Sequence, residues 1–179
     1  MKVIFIHGPA ASGKHTIGTL VSKELGLPLF HNHLTIDLAK TLFAFGTKEF
    51  SQLRAEIWRS SFRIATETAQ SFIFTYNPER TVDPTLLAGL HSIVEESGGE
   101  MLYVALQCSQ TEILNRIENE SRTRFNKLTS RSLFLELTAQ GAFESVPLPS
   151  PWMEINTESL SATQAAEAII SGIRPPART

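Results

Sequence analysis

The sequence predicts an α/β fold in which a parallel sheet carries helices on both of its faces. Short apolar runs alternate along the chain with longer segments of helical periodicity. The first of these runs leads directly into a glycine-rich loop and then into an amphipathic helix. Strands that alternate with helices form parallel sheets through right-handed crossovers. The length of 179 residues suits a single domain, 1–179, with a sizeable core.

Five runs are predicted as strands because they are short, apolar and bounded by turn residues. They cover about residues 3–6, 27–31, 71–76, 101–106 and 152–155. Helices are predicted where apolar residues recur at a spacing of three or four. They cover about residues 14–25, 32–45, 49–69, 84–97, 110–117, 130–139 and 161–173.

Several helix boundaries and faces can be predicted from local patterns. Three helix starts carry capping residues or a proline in the first turn; they are Asp83–Pro84, Ser109–Glu112 and Ser161–Gln164. Asn32 is the predicted N-cap of the second helix, on which Leu34, Leu38 and Leu42 share one face. The predicted buried stripe of the third helix consists of Phe50, Leu53, Ile57 and Ile64.

The loop after the first strand has the pattern G-x-x-x-x-G-K, known as Walker A, from Gly8 to Lys14. Glycine lets the backbone turn its N–H groups toward a phosphate, and the following helix aims its positive dipole end at the same anion. Lys14 supplies an ammonium group for the outer phosphates. We therefore expect a nucleotide with its phosphates bound at Gly8, Ala10, Ala11, Ser12, Gly13, Lys14, His15 and Thr16.

His15 stands where this motif normally has a serine or threonine that binds Mg²⁺, and the hydroxyl comes one residue later, at Thr16. Thr16 is the expected contact for Mg²⁺, either directly or through water. His15 could contact a phosphate, or it could be a side chain that this helix position tolerates.

Composition excludes several other classes of function. The net charge of −2 gives no general attraction to nucleic acid or to an anionic membrane. A single cysteine excludes an internal disulfide and suits a reducing cytoplasm. No apolar stretch reaches the roughly 20 residues that span a bilayer. We expect a cytoplasmic protein that binds neither nucleic acid nor membrane, as a monomer or a homodimer.

In a parallel sheet of this kind, ligands bind beyond the carboxyl ends of the strands. His31, His33 and Asp37 follow the second strand. They could form a metal site, but the two histidines alternate in a segment that reads as extended and would point to opposite sides. A polar pocket for an acceptor substrate is the favoured interpretation, with Asp37 as the base or hydroxyl-orienting group. Alternatively, Asp37 only stabilises its helix electrostatically.

No acidic residue follows the third strand directly, where many phosphate-loop enzymes carry one for Mg²⁺; the chain has Thr75, Tyr76 and Asn77 there. Thr75 could bind the loop or a metal-bound water, and Asp37 could supply the missing carboxylate.

Basic residues in two other regions are candidates for binding anions. Arg54 and Arg59, on the helix before the third strand, could bind an anionic acceptor or belong to a solvated face. Arg122 and Arg124 lie in a segment with clustered basic residues and no evident helical partners. Phosphoryl transfer needs positive charge around the moving group. We therefore expect Arg122 and Arg124 to belong to a lid, and the alternative is a solvated loop.

The form G-K-x-T, from Gly13 to Thr16, resembles adenylate kinase and its small-kinase relatives. The whole arrangement resembles the small P-loop kinases of the nucleoside monophosphate, shikimate and gluconate kinase type. The phosphate loop, together with the segment 29–37, is similar to bacterial proteins described as shikimate kinase-like or as AAA-family ATPases.

This resemblance implies a P-loop three-layer α/β/α sandwich with a central five-stranded parallel sheet and ATP on the loop. It also implies substrate-covering helices around 33–69 and a lid around 120–130. The substrate motifs that adenylate kinase and shikimate kinase carry after the third strand are absent. Residues 174–179 are predicted to be a frayed tail.

The leading hypothesis is an ATP-dependent phosphotransferase that acts on a small molecule. Lys14 would neutralise charge on the transferred group, Arg122 and Arg124 would close over the phosphates, and Asp37 would orient or deprotonate the acceptor. A nucleotide-binding switch or ATPase without a metabolite acceptor is the main alternative, and a DNA-binding module is a distant third.

Overall fold

A computed structural model of the chain describes residues 1–119, 128–144 and 147–173. Its strands form a five-stranded, fully parallel sheet with the order β2-β3-β1-β4-β5. The strands are β1 (Lys2–His7), β2 (Leu29–His31), β3 (Phe72–Tyr76), β4 (Glu100–Gln107) and β5 (Met153–Asn156). The predicted fold class is confirmed, and β1, which precedes the phosphate loop, is the central strand.

The described helices match the predicted ones in number and order. They are α1 (Lys14–Leu25), α2 (Asn32–Lys40), α3 (Lys48–Glu67), α4 (Pro84–Glu96), α5 (Gln110–Arg116), α6 (Arg131–Ala139) and α7 (Ala162–Ile173). Three of the four predicted caps are present, and Asn32 is not an N-cap because it is already the first residue of α2. Asp83 and Ser109 accept hydrogen bonds from backbone N–H groups in the first turns of α4 and α5. Ser161 and Gln164 exchange hydrogen bonds at the start of α7.

Alternate residues of the strands enter two separate cores, because successive strand side chains point to opposite faces. On one face, aromatic and aliphatic residues of α3 and α4 pack on Phe5 and Phe74. On the other face, residues of α1 and α7 pack on Ile4 and Ile73. Helices therefore cover both faces of the sheet, which makes the structure a three-layer sandwich.

A third, smaller cluster connects the phosphate loop to α5 and α6. Ile113 of α5 and Phe134 of α6 are buried together, and Ala10 and Ala11 of the loop pack against them. This cluster places α6 beside the loop, at the carboxyl edge of the sheet.

The buried face of α3 differs from the prediction. Four residues at a spacing of four form it: Phe50, Arg54, Trp58 and Phe62. Ile64, which the prediction placed in the buried stripe, is 53% exposed. The three aromatic side chains bury more apolar surface than the predicted aliphatic ones, so they determine which side of the helix faces the sheet.

Helix α2 also differs from the prediction. It begins at Asn32 with His31 as N-cap, and it ends at Lys40. Asn32, Thr35 and Ala39 form its buried face. Leu34, Leu38 and Leu42 lie 52–71% exposed.

Two predicted segments contain residues that the structure does not describe. These are 120–127 of the predicted lid and all of the predicted tail, 174–179. Among the described helices, none combines the length and the apolar character needed to cross a bilayer.

Candidate functional site

The phosphate loop leaves β1 through a backbone conformation that requires glycine. Gly8 has φ 148°, and a Cβ atom there would come within 2.4 Å of the Leu106 carbonyl oxygen. Gly13, just before α1, has φ 92°. No side chain caps this end of α1. Its N-terminal N–H groups and its positive dipole end are therefore available to an anion on the loop.

Lys14 connects the loop to the end of β3. Its Nζ donates to the carbonyl oxygens of Gly8, at 2.8 Å, and of Pro9, at 2.5 Å. The same Nζ lies 3.3 Å from Oδ1 of Asn77, the first residue after β3. Lys14 thus places its positive charge between the central strand and β3. Asn77 occupies the position where the sequence lacks an acid, and it accepts a hydrogen bond there from the lysine.

A carboxylate does follow β3, but it comes three residues after the end of the strand and not directly after it. The side chain of Glu79 is 11% exposed and forms an ion pair with Arg54, which is 1% exposed. Burial raises the pKa of the Glu79 carboxyl, and the neighbouring Arg54 guanidinium opposes that rise. Desolvation lowers the pKa of Arg54 in turn.

A cavity of about 830 Å³ opens at the carboxyl edge of the sheet, over the phosphate loop. Its volume lies within the usual range for small-molecule sites. Three groups of residues line it besides the loop. The β2 and β3 side contributes His31, Asn32, His33, Ile36, Lys40, Phe45, Thr75, Asn77, Glu79, Arg80 and Thr81. The β4 and β5 side contributes Arg116, Asn119 and Ala162. The third group surrounds α6: Leu128, Thr129, Ser130, Leu133, Leu137, Ala142 and Phe143.

Three histidines come together in the cavity lining. The rings of His15 and His31 meet edge to face with their centroids 4.8 Å apart, and the His31 and His33 centroids are 6.5 Å apart. The expectation that His31 and His33 point to opposite sides is wrong, because His33 lies in the first turn of α2 and not in an extended strand. Within the described residues, no group of three or more His, Cys, Asp or Glu side chains is arranged to hold a metal ion.

The cavity lining carries more positive than negative charge. Lys14, Lys40, Arg80 and Arg116 line it, whereas Glu79 is the only acidic residue among the described lining. Arg116 is held by Glu112, with Nε 2.6 Å from Oε1, and it also donates to the carbonyl oxygen of Thr157 at 2.7 Å. Such a lining favours an anionic ligand.

Of the five residues predicted to bind an acceptor, two line the cavity and three do not. His31 and His33 line the cavity. Asp37 and Arg59 are exposed and lie outside the lining. Arg54 is buried inside the fold and bound to Glu79, so the prediction that it binds an acceptor is replaced by a structural role.

Among the other predicted site residues, Thr16 and His15 line the cavity beside Lys14. Arg122 and Arg124 lie outside the described residues. Four lining residues were not predicted from the sequence: Lys40, Phe45, Glu79 and Arg80. The rule that ligands bind beyond strand ends could have indicated Glu79 and Arg80, which follow β3.

The oxygen donors around the loop suit Mg²⁺. Thr16, Thr75 and Asn77 line the cavity and offer hydroxyl and amide oxygens. Mg²⁺ takes oxygen ligands, and in nucleotide sites it uses few protein ligands besides phosphates and water. These residues therefore fit a magnesium–nucleotide complex with its phosphates on the loop.

No protein-family model matches this chain, and no curated protein does either. Solved structures do match it. An APS kinase from Mycobacterium tuberculosis, in complex with AMPPNP and APS, shares 16% identity over 95% of each chain, with a TM-score of 0.64. A sugar kinase from Janibacter sp. HTCC2649 shares 17% identity over 96% of this chain and 93% of that chain, with a TM-score of 0.64.

A shikimate kinase from Acinetobacter baumannii, in complex with shikimate, shares 18% identity over 96% of this chain and 92% of that one, with a TM-score of 0.59. At these identities the likeness shows the fold. The chain has the fold of small-molecule kinases of the P-loop type, and the resemblance found in the sequence is confirmed at that level.

Proposed function

We propose that this protein is a phosphotransferase that moves the γ-phosphoryl group of ATP to a hydroxyl or phosphate group of a small molecule. The observation that carries the proposal is the position of Lys14. Its ammonium group lies between the phosphate loop and Asn77, beside a cavity that extends to both sides of the central strand. One side can hold the nucleotide and the other the acceptor, with the phosphates between them.

On the nucleotide side, the N-terminus of α1 and the loop would hold the β- and γ-phosphates. Lys14 would turn from the carbonyl oxygens of Gly8 and Pro9 toward the γ-phosphate and balance the charge that develops there. Arg116 and Asn119, on the β4 and β5 side, would lie beside the rest of the nucleotide. Mg²⁺, held by Thr16 directly or through water, supplies further positive charge at the phosphates when bound.

On the acceptor side, the residues after β2 and β3 would position the attacking group in line with the bond that breaks. Phosphoryl transfer depends mainly on positioning and electrostatic stabilisation, so a strong general base is not required. The exposed location of Asp37 outside the cavity lining is therefore compatible with transfer. We propose no catalytic role for Asp37.

The same location of Asp37 is the observation that favours the second candidate, a nucleotide-binding switch or ATPase without an acceptor. No carboxylate among the described residues is both in the cavity lining and unengaged by an arginine. An enzyme of this second kind would hydrolyse ATP, or hold it, irrespective of any added metabolite.

The decisive experiment compares Lys14→Ala with Lys23→Ala. Lys23 is an exposed lysine of the same helix and serves as the matched control. We expect the Lys14→Ala protein to stay folded and to lose about 100-fold or more of acceptor-dependent ADP release, since one charged contact to a transition state is worth several kcal/mol. The Lys23→Ala protein should resemble the parent. Transfer at the parent rate by folded Lys14→Ala protein would refute the proposal, and ADP release that no acceptor changes would favour the ATPase.

A further inference from the structure

The acceptor side of the cavity has a floor and a wall that different parts of the chain provide. The residues after β2 and β3 form the floor. The backbone N–H of Arg80 donates to the Ala142 carbonyl oxygen at 3.0 Å, and its Nη1 donates to the Gln140 carbonyl oxygen at 3.1 Å. These hydrogen bonds hold the end of α6 against the loop after β3. Side chains of α6 therefore belong to the acceptor side and form its wall.

This wall forms an apolar surface together with two floor residues, Ile36 and Phe45, and the surface is partly open to solvent. Phe45 is 51% exposed and Leu133 is 43% exposed, and both line the cavity. Ile36, Leu137 and Phe143 line it with them. Apolar surface exposed together inside a concave site gains free energy when an apolar ligand covers it, at roughly 25 cal/mol per Å². A polyhydroxy ligand without an apolar part would not gain this free energy.

Two residues of the floor carry positive charge. Lys40, at the end of α2, and Arg80 both line the cavity. Within the described part of the chain, neither residue has a carboxylate within ion-pair distance. Glu79, the acid of the described lining, is already bound to Arg54. An anionic group on the acceptor would therefore meet two cations whose charge no described acid neutralises.

Asn32 adds a specific hydrogen-bonding position. It is 4% exposed and lines the cavity, and its Oδ1 has no hydrogen-bond partner among the described residues. Its backbone N–H contacts Oγ1 of Thr75 at 3.4 Å, and Thr75 faces Ile6 of β1 in the sheet register. Asn32 is thus one strand away from the phosphate loop. A buried amide oxygen without a partner costs free energy that a donor on the ligand restores. The hydroxyl group of an acceptor is such a donor once the Asn32 side chain turns its amide oxygen, which is closed to solvent here, toward the cavity.

We propose that the acceptor is an amphipathic hydroxy acid, with an apolar body against Phe45 and Leu133, a carboxylate or phosphate group at Lys40 and Arg80, and its hydroxyl on Asn32. The inference rests on the proposed function for the reaction itself. In that reaction the hydroxyl oxygen forms a bond to the γ-phosphorus. The bond between this phosphorus and the bridging oxygen of the β-phosphate breaks, ADP leaves, and the hydroxyl proton passes to solvent.

Direct binding tests the acceptor class independently of turnover. The probes are 3-phenyllactate and 4-(hydroxymethyl)benzoate, their methyl esters, and gluconate as a hydrophilic acid, each titrated by calorimetry with and without AMPPNP and Mg²⁺. We expect each aryl acid to bind about 10-fold or more tighter than its ester and than gluconate, a difference of about 1.4 kcal/mol. Equal affinities of acid and ester, tighter binding of gluconate, or no binding of any aryl acid in the millimolar range would overturn the inference.

Variants locate the binding. Lys40→Met or Arg80→Met should remove the difference between acid and ester, and Leu133→Asn should weaken both alike. Lys48→Met, at an exposed position of α3 outside the lining, should change nothing. An acid preference that survives in both Lys40→Met and Arg80→Met would contradict the assignment of the anion site.

The hydroxyl position is tested with 3-phenylpropionate, which lacks the hydroxyl group of 3-phenyllactate. The parent protein should prefer the hydroxylated compound, and Asn32→Leu should bind the two equally. If Asn32→Leu does not fold, the preference of the parent protein decides, since equal binding there would refute the role of Asn32. Failure of the parent protein to bind AMPPNP would contradict the proposed function. The affinities for the acids measured without AMPPNP would still test the acceptor class.

Discussion

Arg54 and Glu79 form an ion pair in the interior that joins the middle of α3 to the loop after β3. Arg54 also donates to the Thr81 carbonyl oxygen at 2.5 Å, and its guanidinium lies 5.4–5.5 Å from the ring centroids of Phe50 and Trp58. The loop fixed in this way carries Asn77, which contacts Lys14. The pair is thus a structural support for the phosphate site.

Removing Arg54 alone should be far more harmful than removing both partners. Arg54→Met leaves a buried carboxylate without its partner and should lower the free energy of unfolding by about 3–5 kcal/mol. The double variant Arg54→Met/Glu79→Gln should recover a large part of that loss. Urea denaturation of the two single variants and the double variant gives the coupling energy. Arg63→Met, at an exposed site of the same helix, is the control. Additive losses from the two single changes would contradict a coupled pair.

Gly8 and Gly26 both have positive φ, but only Gly8 is crowded. No atom lies within 4 Å of a Cβ built on Gly26, whereas the Leu106 carbonyl oxygen would be 2.4 Å from one on Gly8. Gly26→Ala should cost about 1 kcal/mol, from backbone strain partly offset in the unfolded chain. Gly8→Ala should cost about 3 kcal/mol or more, since overpacking adds to strain. Thermal unfolding compares the stability of the two variants. Equal losses of stability would contradict the prediction, because they would show that the Leu106 carbonyl group moves away at no cost in free energy.

The hydroxyl of Thr35 accepts a hydrogen bond from Nε1 of Trp58 at 3.2 Å, and both residues are buried. Thr35→Val keeps the shape of the side chain but leaves the indole N–H without its acceptor, so it should destabilise the protein by about 1–3 kcal/mol. Thr35→Ser keeps the hydroxyl and should cost less. Because this bond holds α2 against α3, the valine variant should, under the proposed function, also raise the KM for the acceptor more than the KM for ATP. Steady-state kinetics of the two variants measures both KM values. Identical KM values for Thr35→Val and Thr35→Ser would refute the prediction.

His7, the last residue of β1, gives the stability a dependence on pH. Burial, with a smaller contribution from Lys14, lowers its pKa to about 4. In the unfolded chain, a histidine has a pKa near 6.5, so below that pH the unfolded state takes up the proton first. Stability from this residue is therefore complete above about pH 6.5 and is lost as the pH falls through 4. Because His7 is partly exposed, solvent screening reduces the effect, and the free energy of unfolding falls by roughly 1–2 kcal/mol.

His7→Leu should remove this part of the acid sensitivity. Urea unfolding at pH 7 and at pH 4.5 would show a smaller difference for the variant than for the parent protein. A replacement elsewhere, such as His91→Leu on α4, serves as the comparison. An unchanged difference in the His7→Leu protein would show that this histidine does not carry the effect.

The sequence was sufficient to predict the elements whose causes are local. The caps at Asp83 and Ser109 and the phosphate loop depend on residues a few positions apart. The sheet could be predicted from the alternation of strands and helices. The relative orientation of His31 and His33 could not be predicted from their alternation in the sequence, because His33 lies in the first turn of α2.

Contacts between distant segments could not be predicted in the same way. Arg54 reads as one more basic residue on a helix, and its burial depends on Glu79, 25 positions away. The cavity lining from α6 has the same character, since hydrogen bonds from Arg80 to the carbonyl oxygens of Gln140 and Ala142 hold it beside the loop after β3. No local pattern contains that information.

The two sides of the cavity should differ in rigidity, because one lies on the central strand β1 and the other on the edge strand β2. β1 is hydrogen-bonded along both edges, whereas the three-residue β2 has one neighbouring strand and leads into α2. Backbone amides of β1 should therefore exchange with deuterium only on global unfolding, and those of α2 through smaller local openings. Under the proposed function, the donor phosphates would lie on the part of the fold that tolerates little change. The acceptor would lie at the sheet edge, where substitutions can accumulate without disturbing the phosphate loop.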